Sequence, residues 1–153
     1  METENSLSFA VACAADTEQL VALRIEAMRE SLERIGRFDP ERAREHFLRT
    51  FEPTKTRHIL LDGERIGFLV VKHELEYLLL NHLYIHPRFQ GRGFGTFALE
   101  DVCAEAQRCR LPIRLGALRD STANEFYLRH GFLKIAEEEF DIYYMRDWQL
   151  PFA

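Results

Sequence analysis

The chain has 153 residues and only three cysteines, Cys13, Cys103 and Cys109. An odd number at irregular spacing excludes a disulfide framework and a zinc knuckle. No apolar run approaches the roughly 18 residues that cross a bilayer, so no membrane partner is expected. Positive charge is also in short supply: 20 Lys and Arg face 25 Asp and Glu, a formal net charge of −5. That excludes the concentrated basic field of a general nucleic-acid binder, while leaving room for a local basic pocket that takes one phosphorylated cofactor. The opening METENSLSFAVACAAD carries acids in place of a basic n-region and only a short apolar stretch. The expectation is therefore no signal peptide and a cytoplasmic location. His46, His58, His73, His86 and His130 stand at no metal-ligand spacing with the acids or cysteines, and no metal is expected. His86, before Pro87, and His130, before Gly131, read as structural or loop-facing.

What is present is an ordinary globular balance, 46% apolar and 29% charged. A chain of this length buries roughly two-thirds of its unfolded surface and needs no covalent staple. Leu7–Ala12 reads as a first strand. Asp16 and Thr17 offer caps to a helix whose Val21, Ile25, Met28, Leu32 and Ile35 form one apolar stripe, ended by Gly36. Asp39-Pro40 starts a second helix with Ala43, Phe47, Leu48 and Phe51 as its buried side, stopped by Pro53. Three strands follow: Arg57–Leu61, the hairpin signal Asp62-Gly63, Arg65–Lys72, and Glu76–Ile85. In the last of these, Leu79, Asn81, Leu83 and Ile85 share one face, while Leu80, His82 and Tyr84 share the other. Both faces are largely apolar, which predicts a central strand covered on each side.

From Gly95 the period returns to 3.6, with Ala98, Leu99, Val102, Cys103 and Ala106 on one helix face, where Cys103 acts as a small hydrophobe. Leu111–Leu118 is a further strand. Asp120 or Ser121 caps a short helix carrying Ala123, Phe126 and Tyr127, ended by Gly131. Phe132–Arg146 makes two strands with a turn near Glu137–Glu139. The sum is one α/β domain over residues 1–153, a mixed, mostly antiparallel sheet with helices on both faces.

Chemistry concentrates in Leu83-Tyr-Ile-His-Pro-Arg-Phe-Gln-Gly-Arg-Gly-Phe-Gly-Thr96, where a strand ends, the chain turns through Gly91, Gly93 and Gly95, and a helix begins. Glycines let the backbone turn tightly and aim amides inward. Successive amides at a helix start cradle phosphate, and Arg88 and Arg92 add charge at the rim. The Gly-Lys-Ser/Thr ending of a Walker A loop is missing. The loop also follows about the fourth strand, after a helical hairpin, unlike a dinucleotide-binding fingerprint. A loop that merely turns the chain is the plain alternative; strand, Gln-x-x-Gly-x-Gly and helix together favour a diphosphate ligand.

The sequence here resembles the GNAT superfamily of N-acetyltransferases, whose hallmark is an Arg/Gln-x-x-Gly-x-Gly/Ala loop after the fourth strand; Gln90, Gly93 and Gly95 fall on it. Downstream, Ala123-Asn-Glu-Phe-Tyr-Leu-Arg-His-Gly-Phe132 resembles the family's Asn-x-x-Ala-x-x-x-Tyr-x-x-x-Gly-Phe signature through Ala123, Tyr127, Gly131 and Phe132. The leading Asn position is Asp120, so Ser121 or Asn124 substitutes as a cofactor contact. The resemblance implies the GNAT-like acyl-CoA N-acyltransferase fold, acetyl-CoA as acyl donor, and direct acetyl transfer to a primary amine of a small molecule or peptide. It implies cofactor contacts from Leu83, Ile85, Arg88, Gln90, Gly91, Arg92, Gly93, Gly95, Thr96, Asn124 and Tyr127.

From its own surroundings Tyr127 reads as a core tyrosine beside Phe126; the family register makes it the general acid for the coenzyme A sulfur. Asn81 should face the cleft, where an amide holds a water or orients the acceptor without acting as a base. His82 is of a suitable type for a base, but alternation puts it on the opposite face, and a water route for the proton is expected. Glu26, Arg29, Glu30, Ser31 and Phe38 are candidates to line the acceptor's entry; Glu137, Glu138 and Glu139 read as a solvated turn. A non-catalytic acyl-CoA-binding or regulatory module of the same fold is the alternative function. The C-terminal strand edges suit a homodimer, and Trp148, Leu150, Pro151 and Phe152 cover either a neighbour or the domain itself.

Overall fold

The computed structural model describes residues 6–152. The leader-free reading of the N-terminus rests partly on residues 1–5, which lie outside the described residues. Seven strands, β1 (Leu7–Val11), β2 (Thr56–Leu61), β3 (Glu64–His73), β4 (Leu78–Ile85), β5 (Ile113–Leu118), β6 (Leu133–Glu137) and β7 (Asp141–Arg146), hydrogen-bond in the order β1-β2-β3-β4-β5-β7-β6. β4 pairs with β5 in parallel, while β1–β2, β2–β3, β5–β7 and β6–β7 are antiparallel. Helices α1 (Thr17–Arg34), α2 (Pro40–Thr50), α3 (Phe94–Cys109) and α4 (Ala123–Arg129) flank the strands. This is the mixed, mostly antiparallel α/β fold that the patterning predicts. By compactness the chain divides into two units: the described residues to Val70 with His82–Gly95, and Val71–Asn81 with Thr96 onward.

In the first unit α2 begins as its sequence dictates, with Pro40 in the first turn and the Asp39 carboxylate accepting from the Arg42 amide at 3.1 Å. Phe47 is the buried anchor of α2, edge-on to Phe68 of β3 at 5.9 Å and surrounded by Leu20, Val21 and Leu23 of α1. The apolar stripe of α1 is only partly spent: Val21 is buried, but Ile25, Met28, Leu32 and Ile35 are half-buried. Leu48, expected on the inner side of α2, is 44% exposed, because Phe47 and Phe51, stacked at 5.1 Å, take that role.

Asp62 and Gly63 both have positive φ, 50° and 85°, the backbone of a two-residue hairpin turn that feeds β2 into β3. An ionic network ties the turn that follows β1 to β2 and β3. Arg65 Nε donates to His58 Nδ1 at 2.9 Å, which fixes the other ring nitrogen as the one facing the Asp16 carboxylate, also at 2.9 Å. Asp16 also accepts from the Cys13 amide.

In the second unit the predicted face of α3 is buried in full: Ala98, Leu99, Val102, Cys103 and Ala106 are 0–3% exposed, and burial pushes the Cys103 thiol pKa up. The expected strand Leu111–Leu118 is shorter, Ile113–Leu118, since Pro112 has no N–H to give; its carbonyl instead accepts from Leu78 at 2.9 Å. The last turn lies where expected, Glu138 donating to Asp141 O at 2.8 Å. Within the acid run Glu137 meets Lys134 and Arg119, and Arg119 also donates to the backbone carbonyls of Glu138 and Glu139. The tail folds back on its own unit, Phe152 stacking on His130 and Pro151 O accepting from Arg146.

β4 is the central strand expected, fourth of the seven in the sheet, but its expected coverage is corrected. Leu78 and Leu80 are buried, but Asn81 through Ile85 are all half-buried, so the strand is not covered on both sides along its length. In its parallel register with β5, Leu78 pairs with Ile113 and Leu79 with Arg114.

Candidate active site

The glycine loop is built by the end of β4 and a single 3-10 turn at Pro87–Phe89. The Arg88 amide donates to His86 Nδ1 at 3.1 Å and Phe89 N to the His86 carbonyl at 2.8 Å, which turns the chain sharply after the strand. Gln90 then reaches back, its Nε2 donating to the Ile85 carbonyl at 2.9 Å. That bond assigns the side-chain nitrogen of Gln90 to closing the loop. Gly91 and Gly93 follow at φ 75° and 87°, a region costly for other residues, and a Cβ at either would meet no atom within 4 Å. Gly95 is the second residue of α3 and Thr96 the third.

Gly91 and Gly93 stand just before the first turn of α3, which opens at Phe94. The first turn of a helix leaves its N–H groups without intrahelical acceptors. The result is a run of donors at the positive end of α3, beside glycines with open space in front of them, which suits an anion of diphosphate size. Arg92 is held there by two rings, its Cζ 5.6 Å from the Phe89 centroid and 5.4 Å from that of Phe94. Arg88 is exposed on the same turn, and Leu83 and Ile85 are half-buried at the end of β4. The residues present therefore fit the diphosphate of coenzyme A.

In the second unit Tyr127 is 7% exposed, packed edge-on against Phe126 at 5.2 Å and Phe132 at 5.3 Å and tilted toward Tyr144 at 6.4 Å. Asn124 is turned inward: its Nδ2 donates to the Leu118 and Ser121 carbonyls at 2.9 Å, and its Oδ1 accepts from the Tyr144 hydroxyl at 2.7 Å. With both ends of its amide engaged, Asn124 fastens the β5–α4 turn. Neither Asp120 nor Ser121 is the side-chain cap expected of α4. Asp120 sits in the turn at φ 70°, and Thr122 occupies the cap position without a side-chain bond. Asn81 is half-buried, two residues after Leu79, which pairs with Arg114 of β5. Thr96 Oγ1 lies 3.2 Å from His130 Nε2.

Of the acceptor candidates on α1 and its following loop, the structure gathers Glu26, Arg29 and Phe38. Arg29 bridges Glu26 at 3.4 Å and Glu33 at 3.1 Å, and its guanidinium lies 5.0 Å from the Phe38 centroid. Glu30 pairs instead with Arg34 at 3.1 Å, and Ser31 is half-buried. These acids are matched by arginines, so the patch has little net negative charge. His82 sits on the opposite face from Leu83, its ring 6.1 Å from Phe47 and 6.3 Å from Phe68 and its Nδ1 3.2 Å from the Tyr84 hydroxyl. It belongs to the aromatic packing of the first unit, as strand alternation implies.

Gly67 escaped the sequence reading, and His130, read as structural or loop-facing, has a partner that the sequence did not reveal. Gly67 lies inside β3, and a Cβ on it would stand 2.3 Å from the Tyr84 carbonyl oxygen and 3.0 Å from Ile85 Cδ1. It lets β4 approach where Leu83 and Ile85 are presented; a lone glycine within an apolar strand was the available signal. His130 contacts the third residue of α3, and no local pattern announces a partner 34 positions away.

Among the described residues no three His, Cys, Asp or Glu side chains converge as metal ligands, and no helix is long and apolar enough to cross a membrane. No curated protein matches the chain. Solved structures similar to it include the PaiA N-acetyltransferase of Thermoplasma acidophilum in complex with coenzyme A, at 19% identity and TM-score 0.71, covering 93% of this chain and 99% of that one. An acetyltransferase of Thermus thermophilus aligns at 22% identity and TM-score 0.71, over 93% and 97%. The ribosomal-protein-S18-alanine N-acetyltransferase of Escherichia coli aligns at 14% and 0.68, over 95% and 96%. These likenesses bear on the fold. The profile of the acetyltransferase (GNAT) domain matches residues 54–134, just over half of the chain, spanning the glycine loop and the Ala123–Phe132 motif. The chain belongs to the GNAT acetyltransferase family.

Proposed function

We propose that this protein is an N-acetyltransferase that moves an acetyl group from acetyl-CoA to a primary amine of a small molecule or peptide. The observation that carries the reading is the run of amides from Gly91 to Thr96, which passes through positive-φ Gly91 and Gly93 into the first turn of α3. Arg88 and Arg92 supplement their charge, and Leu83 and Ile85 offer backbone to the pantetheine.

Transfer is direct. The amine nitrogen bonds to the thioester carbonyl carbon as the C–S bond breaks, the amine gives up a proton, and the sulfur gains one. A backbone N–H near Ile85 donates to the carbonyl oxygen as charge develops on it. Water, oriented by Asn81, takes the amine's proton, since an amide cannot. Tyr127 supplies the proton to sulfur, and its aromatic cage fixes the ring so that little orientational freedom is lost at the reaction. The acceptor enters past Glu26, Arg29, Glu30, Ser31 and Phe38.

The proposal extends to one acetyltransferase domain over residues 1–153, cytoplasmic, working as a homodimer. The exposed Leu133 and Ile135 on the terminal strand β6 support the last point, and sedimentation velocity tests it.

Calorimetric titration with coenzyme A and a screen of amines for thiol release from acetyl-CoA test the core of the reading. Binding with thiol release on adding an amine supports an enzyme. Binding without release by any acceptor marks a non-catalytic acyl-CoA module, and no binding at millimolar ligand ends the coenzyme A assignment.

A further inference from the structure

His130 closes α4, and its imidazole is held on three sides. It stacks on Phe152 at 5.2 Å and 8°, meets Phe126 edge-on at 4.8 Å, and brings Nε2 to 3.2 Å from Thr96 Oγ1. Its carbonyl accepts from Arg146 Nε at 2.7 Å, so the backbone is fastened as well. The other ring nitrogen, Nδ1, is buried with no hydrogen-bond partner. Burial above all, then the charges of Arg129 and Arg146, lowers the pKa of His130 below the ordinary histidine value, so the ring is neutral at neutral pH.

A neutral imidazole carries one N–H. On Nδ1 that hydrogen would be a buried donor without an acceptor, a costly arrangement. On Nε2 it has the Thr96 hydroxyl oxygen to donate to. The surroundings therefore select the Nε2–H form, and Thr96 Oγ1 becomes the acceptor of that bond. A hydroxyl has one hydrogen of its own, which then points elsewhere. Thr96 is the third residue of α3, in the first turn, whose amides have no intrahelical acceptor.

We infer that His130 is a positioning residue for the cofactor: by donating to Thr96 it sets the threonine hydroxyl as a further donor to the coenzyme A diphosphate. The inference rests on the coenzyme A reading above. A diphosphate oxygen has only lone pairs to offer, so a hydroxyl turned the wrong way would present oxygen to oxygen. His130 removes that choice. The aromatic stack sets the ring's plane, which ties the C-terminal tail, through Phe152, to the order of the cofactor helix.

The test is calorimetric binding of coenzyme A to the full chain and to T96V, T96S, H130F, H130Q and the double variant T96V/H130F. Pantetheine, which lacks the diphosphate, serves as a second probe followed by ligand-observed NMR. H130F keeps an aromatic ring against Phe152 and Phe126 but loses the donor; Gln offers an amide N–H in its place. Loss of one hydrogen bond to a charged group should weaken coenzyme A binding about ten- to a hundred-fold in T96V and in H130F. T96S and H130Q should stay within about three-fold of wild type. The double variant should bind no worse than T96V, because the histidine acts only through the hydroxyl. Pantetheine binding should be unmoved throughout, and imidazole nitrogen shifts of His130 should report the Nε2–H form.

Wild-type affinity in H130F, losses that multiply in the double variant, an equal loss for pantetheine, or an Nδ1–H ring would each overturn the inference while leaving the coenzyme A reading intact. A wild type that ignores coenzyme A overturns both. If H130F does not fold, T96V against T96S and the nitrogen shifts carry the decision alone.

Discussion

Gly67→Ala should damage this protein far more than a single added methyl suggests. The new Cβ would lie 2.3 Å from the Tyr84 carbonyl oxygen, whereas real Cβ atoms essentially never come closer than 3.0 Å to a neighbour. The obstacle is backbone, so no rotamer change relieves it; the end of β4 must retreat by about 0.7 Å, the difference between those two distances. The neighbouring bond from His86 N to Ile66 O, 2.7 Å long, would stretch beyond the usual range. Overpacking of a tight site costs about 1–3 kcal/mol, and a backbone obstacle puts this variant near the upper figure. About 3 kcal/mol corresponds to a melting point lower by roughly 6–12 °C for a domain of this size.

Gly116→Ala is the matched control. There a Cβ meets only the Tyr143 ring, at 3.1 and 3.2 Å, and the ring can swing aside. Differential scanning calorimetry of both variants, with coenzyme A titration of whatever remains folded at 15 °C, decides the matter. Gly67→Ala should melt early and bind the cofactor more weakly, because Tyr84 and Ile85 carry the displaced backbone. A melting point within about 2 °C of wild type, or the same as that of Gly116→Ala, would refute the close-approach argument.

Gly93→Glu, at φ 87°, should strain the loop and place a carboxylate among the amide donors, lowering coenzyme A affinity at least ten-fold by calorimetry while the melting point falls by only a few degrees. Tyr127→Phe should cut turnover at saturating substrates about ten- to a thousand-fold with little change in cofactor affinity; equal turnover would remove Tyr127 from the proton route. Asp16 has its pKa lowered from 3.8 to about 2, chiefly by the Cys13 amide and then by His58. Because the folded state favours the carboxylate, its contribution of about 2 kcal/mol is complete above pH 4–5 and is lost as the pH falls through about 2. Urea unfolding between pH 2 and 6 should show wild-type stability falling on that limb and Asp16→Ala lacking most of the fall.

Much of this was legible in the sequence, for local reasons. The α3 face from Ala98 to Ala106 repeats at 3.6 residues with nothing polar to interrupt it, and it is buried as patterned. Asp39-Pro40 and Asp62-Gly63 carry their geometry in their own dihedral preferences, so the start of α2 and the β2–β3 hairpin needed no partner to be foreseen. The glycine loop was visible because strand end, glycines and helix start are consecutive in the chain.

What local pattern could not supply is the choice among equally apolar or polar side chains. Phe47 rather than Leu48 faces the core, because Phe68 and Phe51 give it ring partners. Asn124 is turned to the Leu118 and Ser121 carbonyls because Tyr144, 20 residues away, completes its bonding. Periodicity marked β4 as apolar on both faces, yet Asn81 to Ile85 stay half-buried. Gly67 and His130 show the same division. The chain specifies its elements through neighbours in sequence, whereas the approach of β4 to β3 and the histidine that orients Thr96 depend on contacts between residues far apart in the chain, which form only when the strands and helices pack.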